Sequence, residues 1–349
     1  MAAGRGAGEP LFSRAWWFIR SRPTILRRIV QRALADLPLG INRRRVEKHW
    51  GPAGSAALAP RVWTNSRVIR EYLHRRVSGD PRCDWVTWML HRHAPNRPGL
   101  RVLVLGCGDG WLERVLARDA RIAFVTGVDV SPEIIEEAER RSSAEGLSER
   151  ISHAVADLDR DPLPAGTWDL VLSHDVIHHV RNLEGLYART AAALAPDGAL
   201  LFCEYVGPRR FDYGRAREII LDDALRSLPQ KYRRLPDGRG FATRGHRTDP
   251  GELALRDPSE AVRSDDILPV LRASMDVLEE IPYGGSLLSP LLYELVANFD
   301  EERPEDEALL RGLCERESAL MAEGRLPSDY VVAAARARAV EQGPGSLAR

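Results

Sequence analysis

The sequence predicts an α/β fold, a largely parallel sheet with helices on both faces. Three observations carry this. Short apolar segments alternate with helix-like segments between residues 101 and 206, the pattern of repeated βαβ units. The first apolar segment, Val102 to Leu105, runs into a glycine turn, Gly106-Cys107-Gly108-Asp109-Gly110, and then a helix. The second apolar segment, Phe124 to Val128, ends in an acid, Asp129. Glycine lets a backbone approach a ligand where a Cβ would collide, and a helix start offers free N–H groups.

The elements follow in order. Strand 1 is expected at 101–105, its helix at 110–118 and strand 2 at 123–128. Ser131 caps the next helix, with Pro132 at its first position and Glu133 in its first turn. Strand 3 is placed at 151–155 and strand 4 at 168–173. A helix spans 183–194, and the turn Pro196-Asp197-Gly198 precedes strand 5 at 199–206. The polar stretch 208–263 is too long for an ordinary connection, so it is read as an insertion over the site. Ser264-Asp265-Asp266 caps a helix to Ala273, and Met275 to Tyr283 forms strand 6. Helices are expected after Gly285, and strand 7 at Asp329 to Ala335, although that alanine-rich segment also suits a helix.

Composition narrows the class. The chain has 349 residues, 44% of them hydrophobic, and no net charge. That supports one large domain with additions, or two. Only Lys48 and Lys231 are lysines among 50 basic residues, a bias that points to a GC-rich genome more than to nucleic-acid recognition. The cysteines Cys83, Cys107, Cys203 and Cys314 are scattered, without a C-x-x-C pair. The expectation is a reducing, cytoplasmic setting, with neither a secretory leader nor a membrane span.

Residues 1–50 hold eleven Arg and Lys against three acids, interleaved with Phe12, Trp16, Trp17, Phe18 and Ile19. Two readings are open: a helix that packs its aromatics on the main domain, or one that lies on an anionic membrane surface. The first is favoured. Residues 1–9, rich in Gly and Ala, are read as disordered. Residues 60–95 read as helical, with Trp63, Tyr72, Trp85 and Trp88 on recurring faces. Trp63, Asn65 and Tyr72 are assigned to core rather than to a ligand pocket.

The glycine spacing separates two cofactor classes. Dinucleotide enzymes use G-x-G-x-x-G, with a third glycine for close helix packing; here that position is Trp111. The Gly106-x-Gly108-x-Gly110 loop instead resembles motif I of class I S-adenosylmethionine-dependent methyltransferases. The acid usual two positions before the first glycine is replaced by Val104, and Asp109 is the acid nearest to supply that polarity. The resemblance implies a Rossmann-like seven-stranded methyltransferase sheet with helices on both faces, an N-terminal helical cap and an insertion after strand 5. The implied divisions are 1–95, a basic and helical cap; 96–207, the cofactor-binding core; 208–263, a lid; and 264–340, the rest of the core with extra helices.

The resemblance also implies site residues. Gly106, Cys107, Gly108, Asp109 and Gly110 wrap the methionine and ribose of S-adenosyl-L-methionine. Asp129 accepts hydrogen bonds from the ribose hydroxyls, and Val130 lies beside the adenine. Asp157 meets the adenine amino group, with Leu158 as its apolar neighbour. Ser173 and His174, at the end of strand 4, lie near the methionine portion. The run through His178 and His179 resembles the segment after strand 4 in small-molecule methyltransferases. One of these histidines is expected to face the acceptor as a base, with His178 preferred. Glu204, a carboxylate leaving an apolar strand, is a second base, an acceptor-orienting group or a partner of Arg209, Arg210 or Arg215. Tyr205 and Arg209 are candidates for the acceptor pocket. No metal is assigned, because the histidines and Asp175 crowd one compact stretch.

The function implied is methyl transfer to a small-molecule, glycan or natural-product acceptor, at a hydroxyl. A base favours an oxygen acceptor, and no Asn-Pro-Pro-Tyr-type motif of amino-methylating nucleic-acid enzymes is present. The alternatives are a catalytically inactive cofactor-binding scaffold and an amine- or RNA-directed methyltransferase. Nothing in the sequence assigns an oligomeric state.

Overall fold

A computed structural model describes residue 46 and residues 49–52, 62–238 and 240–339. The readings made on residues 1–45 lie outside the described residues. Seven strands form one sheet: β1 (Leu100–Leu105), β2 (Ile122–Asp129), β3 (Ile151–Val155), β4 (Trp168–His174), β5 (Leu194–Tyr205), β6 (Asp276–Gly284) and β7 (Tyr330–Arg336). Their order is β3-β2-β1-β4-β5-β7-β6. The first five pair in parallel, and β7 runs antiparallel to both β5 and β6. This is the Rossmann-like seven-stranded sheet that the glycine loop implied. The strand order reverses between β1 and β4. A crevice opens at the carboxyl ends of strands at such a point, and ligands bind there.

Side chains alternate across the sheet. Val102 and Val104 join one buried cluster, and Leu103 and Leu105 join the other. β5 does the same, with Leu201 and Cys203 opposite Leu200 and Phe202. Ala333, Ala334 and Ala335 of β7 are all fully buried between β5 and β6. Burial on both faces erases the alternation that identifies a strand in sequence, which is why this segment also suited a helix.

The helices are α1 (Arg67–Ser78), α2 (Trp85–His93), α3 (Trp111–Leu116), α4 (Pro132–Ala144), α5 (Leu183–Ala193), α6 (Gly214–Ser227), α7 (Pro250–Arg256), α8 (Ile267–Ser274), α9 (Leu288–Leu292) and α10 (Pro304–Ala322). Ser131 caps α4 by accepting from the Ile134 N–H at 3.4 Å. Ser264 does not cap α8; its hydroxyl donates to the Gly207 carbonyl at 2.9 Å. The turn at Pro196-Asp197-Gly198 lies inside β5, as an irregularity between its pairings with Trp168 and Leu170. Both α9 and α10 stand between β6 and β7, where helices were expected. Among the described residues no helix is long and apolar enough to cross a membrane.

Segment 208–263 is more than a polar loop. Its α6 buries Leu221, Ala224 and Leu225 in the main core and packs on α9. A buried ion pair fixes this attachment. Arg217, 6% exposed, donates from Nη1 to Asp329 Oδ1 at 3.0 Å and bonds the second oxygen through Nη2. Its Nε donates to the Ser286 carbonyl at 3.1 Å. Asp329, 1% exposed, immediately precedes β7. Removing one member of such a pair strands a buried charge. Arg217→Ala is expected to cost about 3–5 kcal/mol in urea unfolding. Arg217→Met combined with Asp329→Leu is expected to recover most of that loss.

Candidate functional site

The crevice between β1 and β4 holds a cavity of about 850 Å³. Nine of the expected cofactor residues line it: Gly106, Cys107, Gly108, Asp109, Asp129, Val130, Asp157, Leu158 and His174. Gly110 and Ser173 do not. Gly110 sits at the start of α3 with φ +77°, and Ser173 is fully buried in β4.

The glycine turn is shaped for close approach. Gly106 has φ +64°, and a Cβ there would lie 2.4 Å from the Val176 side chain. Gly108 has φ +52°, and a Cβ there would meet nothing within 4 Å. Gly108 therefore presents bare backbone to the cavity. Its N–H donates to Asp129 Oδ2 at 3.1 Å, and Ser131 N–H donates to Oδ1 at 3.0 Å. Burial pushes the Asp129 pKa up, against the pull of these backbone N–H groups. Asp109 pairs with Arg141 Nη1 at 2.5 Å and accepts from the Trp111 N–H. Asp157 accepts from the Asp159 N–H at 3.0 Å.

β4 ends in a sharp bend. Asp175 has φ +52°, uncommon for a residue with a Cβ. Its N–H donates to the Cys203 carbonyl at 2.9 Å, which ties the bend to β5. Before the bend, His174 stacks on Trp85 at 5.6 Å and meets Trp111 edge-on at 5.3 Å. Its Nδ1 is buried without a hydrogen-bond partner among the described residues. The bare Gly108 backbone and the acid at Asp129 fit a nucleoside-bearing cofactor, and the His174 ring forms part of the same wall.

Past the bend, Ile177–His179 form a single 3₁₀ turn. His179 lines the cavity and His178 does not. The preference for His178 as the inward-facing residue is thus corrected in geometry. The reason is Glu204, which is 0% exposed and draws the His178 ring into the protein interior, off the cavity wall. Its carboxylate accepts the N–H groups of Val176 (2.9 Å), Ile177 (2.6 Å) and Tyr205 (2.7 Å). His178 Nδ1 completes this set at 2.5 Å. Glu204 thus pairs with histidine, not with the arginines near it in sequence. Arg209 pairs with Asp265 and Asp266, and Arg215 with Glu218. Arg210 donates to the Pro258 and Glu260 carbonyls.

The two histidines differ electrostatically. Burial opposes charge on His178, but Glu204 and Glu260 outweigh it and hold its pKa well above the ordinary value. For His179, burial and then the neighbouring His178 cation push the pKa down. His179 Nδ1 lies 3.1 Å from Ser259 Oγ, and Trp50 packs edge-on against the ring at 4.8 Å. Burial opposes ionisation of Glu260, but the two histidines hold its pKa at about 2. Ser259 lines the cavity as well.

Other expectations fall outside the cavity. Trp63 packs on Tyr330, and the Tyr72 hydroxyl lies 3.0 Å from Ser318 Oγ, so both are core. Tyr205 is buried, with its hydroxyl donating to the Pro208 carbonyl. Several wall residues escaped the sequence reading, among them Trp50, Ile134, Glu137, Arg141 and Ser259. Ile134 and Arg141 follow the Ser131 cap on α4, a signal that spacing alone offered. Ser259 and Glu260 sit far along the chain with no local signal.

Part of the chain is similar to known proteins. Residues 102–198 match the profile of the methyltransferase domain family. A ubiquinone biosynthesis O-methyltransferase of Methylocella silvestris is 39% identical over 164 residues, 45% of this chain and 59% of that protein. A demethylmenaquinone methyltransferase of Tropheryma whipplei is 34% identical over 114 residues, 32% of this chain and 45% of that protein. The chain spans about half the length of the curated relatives it matches. A solved S-adenosylmethionine-dependent methyltransferase from Mesorhizobium loti aligns with 72% of this chain and 98% of its own, at 20% identity and TM-score 0.42. The chain carries a class I S-adenosylmethionine-dependent methyltransferase domain, and S-adenosyl-L-methionine is the cofactor of that class.

Beneath the glycine turn lies Glu113, fully buried beside Cys107 and Gly127. Burial pushes its pKa from the ordinary 4.5 up to about 8. The folded chain therefore keeps this proton where the unfolded chain releases it. Stability contributed here is full below pH 4.5 and is lost as pH rises toward 8, by at most about 1.4 kcal/mol per pH unit. Glu113→Gln is expected to flatten that decline when urea unfolding is compared at pH 5 and pH 8.

Proposed function

We propose that this chain transfers the methyl group of S-adenosyl-L-methionine to a hydroxyl oxygen of a small-molecule or glycan acceptor. The observation that carries the reading is the His-carboxylate cluster at the end of the cavity. An oxygen nucleophile gains from losing its proton, whereas a neutral amine needs no such help. The bound sulfonium supplies an electrophilic methyl group. The protein aligns and assists. Gly108 and Asp129 receive the nucleoside, and the wall at His174 receives the amino-acid end, so that the acceptor approaches from the side of His179. Alignment of two bound reactants removes much of the barrier.

His179 is the member of the cluster that faces the acceptor, and its depressed pKa keeps it unprotonated near neutrality. Glu204 and His178 act through position: they hold the 3₁₀ turn that carries His179. Residues 257–260, at the end of segment 208–263, close this side of the cavity and form the working edge of the lid. The names of the relatives support an acceptor of small size.

The first test is calorimetry of the purified protein with S-adenosylmethionine, S-adenosylhomocysteine and NAD. Micromolar binding of the first two and none of the third is expected; the reverse pattern overturns the reading. With an acceptor in hand, His179→Ala is expected to lower kcat by about 10²–10⁴, with S-adenosylhomocysteine affinity unchanged. Full activity of His179→Ala would remove it from the mechanism.

A further inference from the structure

The 3₁₀ turn after β4 and the end of segment 208–263 bring two imidazoles and a carboxylate together. One ligand atom each of His178, His179 and Glu260 lies within 4.8 Å of the others. Ligands about 2.1 Å from a first-row cation stand roughly 3–4 Å apart, so a contraction of about 1–2 Å at the widest pair assembles a coordination sphere.

Each imidazole is already oriented as ligating histidines are. His178 Nδ1 faces Glu204 Oε1, which leaves Nε2 aimed at Glu260 Oε1, 3.4 Å away. Ser259 Oγ donates to Asp257 Oδ1 at 2.6 Å. Its lone pair is thus left to accept Nδ1–H of His179, and Nε2 of His179 carries the free pair. A carboxylate behind each imidazole, here direct for one and through Ser259 for the other, is the outer shell that metal-binding histidines use. The third group is held as firmly. Arg210 clamps the carbonyls of Pro258 and Glu260, Ala261 has φ +45°, and Val262 N–H donates to the His178 carbonyl at 3.1 Å. Glu204, Asp257 and Glu260 together set three carboxylates against two imidazoles in a largely buried space.

We propose that His178, His179 and Glu260 hold a divalent first-row cation at the acceptor end of the cavity, with open positions for an acceptor oxygen. Two histidines and one carboxylate leave coordination positions free for substrate. The inference rests on the methyl-transfer reading and changes how the cluster acts in it: a His179 whose free pair binds the cation activates the acceptor through the metal and does not itself take the proton. Coordination lowers the pKa of the acceptor hydroxyl. Its proton passes to solvent water, and the oxygen lone pair forms the new C–O bond. The C–S electron pair returns to sulfur, giving a methyl ether and S-adenosylhomocysteine. Acceptors with two adjacent oxygens, able to chelate the cation, suit such a site.

The test uses the full chain stripped with EDTA and dialysed. Titration with Co²⁺, followed by visible absorption, and with Zn²⁺, followed by calorimetry, is expected to show one site of micromolar affinity or better. Glu260→Gln and His179→Ala are expected to weaken it at least about tenfold, with S-adenosylhomocysteine affinity retained as proof of folding. Absence of a Co²⁺ or Zn²⁺ site in protein that binds S-adenosylhomocysteine overturns the proposal and leaves the methyl-transfer reading standing. Full metal affinity in both variants overturns it too. Loss of S-adenosylhomocysteine binding by the unmodified chain instead removes the reading on which it rests.

Discussion

The buried carboxylate of Glu204 is the constraint on which the site depends. It leaves β5 without access to water, so its negative charge must be met by donors from the protein. Three backbone N–H groups and the His178 ring meet it. Two of those N–H groups belong to Val176 and Ile177 of the loop after β4. Val176 in turn stands where a Cβ on Gly106 would fall. The end of β5, the loop after β4 and the glycine turn after β1 are thereby locked to one another. His179 reaches the cavity only because the turn it belongs to is anchored behind it.

Magnitudes separate the parts played by the charged groups. Hydrogen bonds to an ionised group contribute roughly 1.5–3 kcal/mol each, and four of them offset a desolvation cost of several kcal/mol for a buried carboxylate. Glu204 is engaged on both oxygens and does not line the cavity. The adjacent histidines divide accordingly: His178 is held inside against Glu204, which favours its protonated form in the absence of a cation, and His179 faces the cavity. Exposed pairs such as Arg209 with Asp265 and Asp266 contribute little by comparison. The pairing of Arg217 with Asp329 matters more, because it is buried and fastens α6 to the start of β7.

Local patterns made much of this legible in the sequence. The strands around the glycine turn, the cap at Ser131 and the acid at Asp129 all follow from spacing within a few turns of chain, and each stands where it was expected. Contacts between distant segments decided the rest. Nothing in the pair His178-His179 says which ring turns inward, because the answer comes from Glu204 on one side and Ser259 on the other. Glu260 carries no local signal, so the sequence showed only the compact stretch of histidines with Asp175 and not the distant carboxylate that meets them. Segment 208–263 read as polar by composition, yet the spacing of Leu221, Ala224 and Leu225 gives α6 a buried face. Ser264 had the chemistry of a cap and spent it on the Gly207 carbonyl instead.

The most direct test of the site as a whole is a crystal structure of the protein with S-adenosylhomocysteine. The ribose is expected within hydrogen-bond distance of Asp129, the backbone of Gly106 to Gly108 against the ligand, and the thioether sulfur turned toward His179. A ligand seated outside the crevice between β1 and β4, or a sulfur facing away from the turn that carries His179, would contradict this arrangement of cofactor and acceptor.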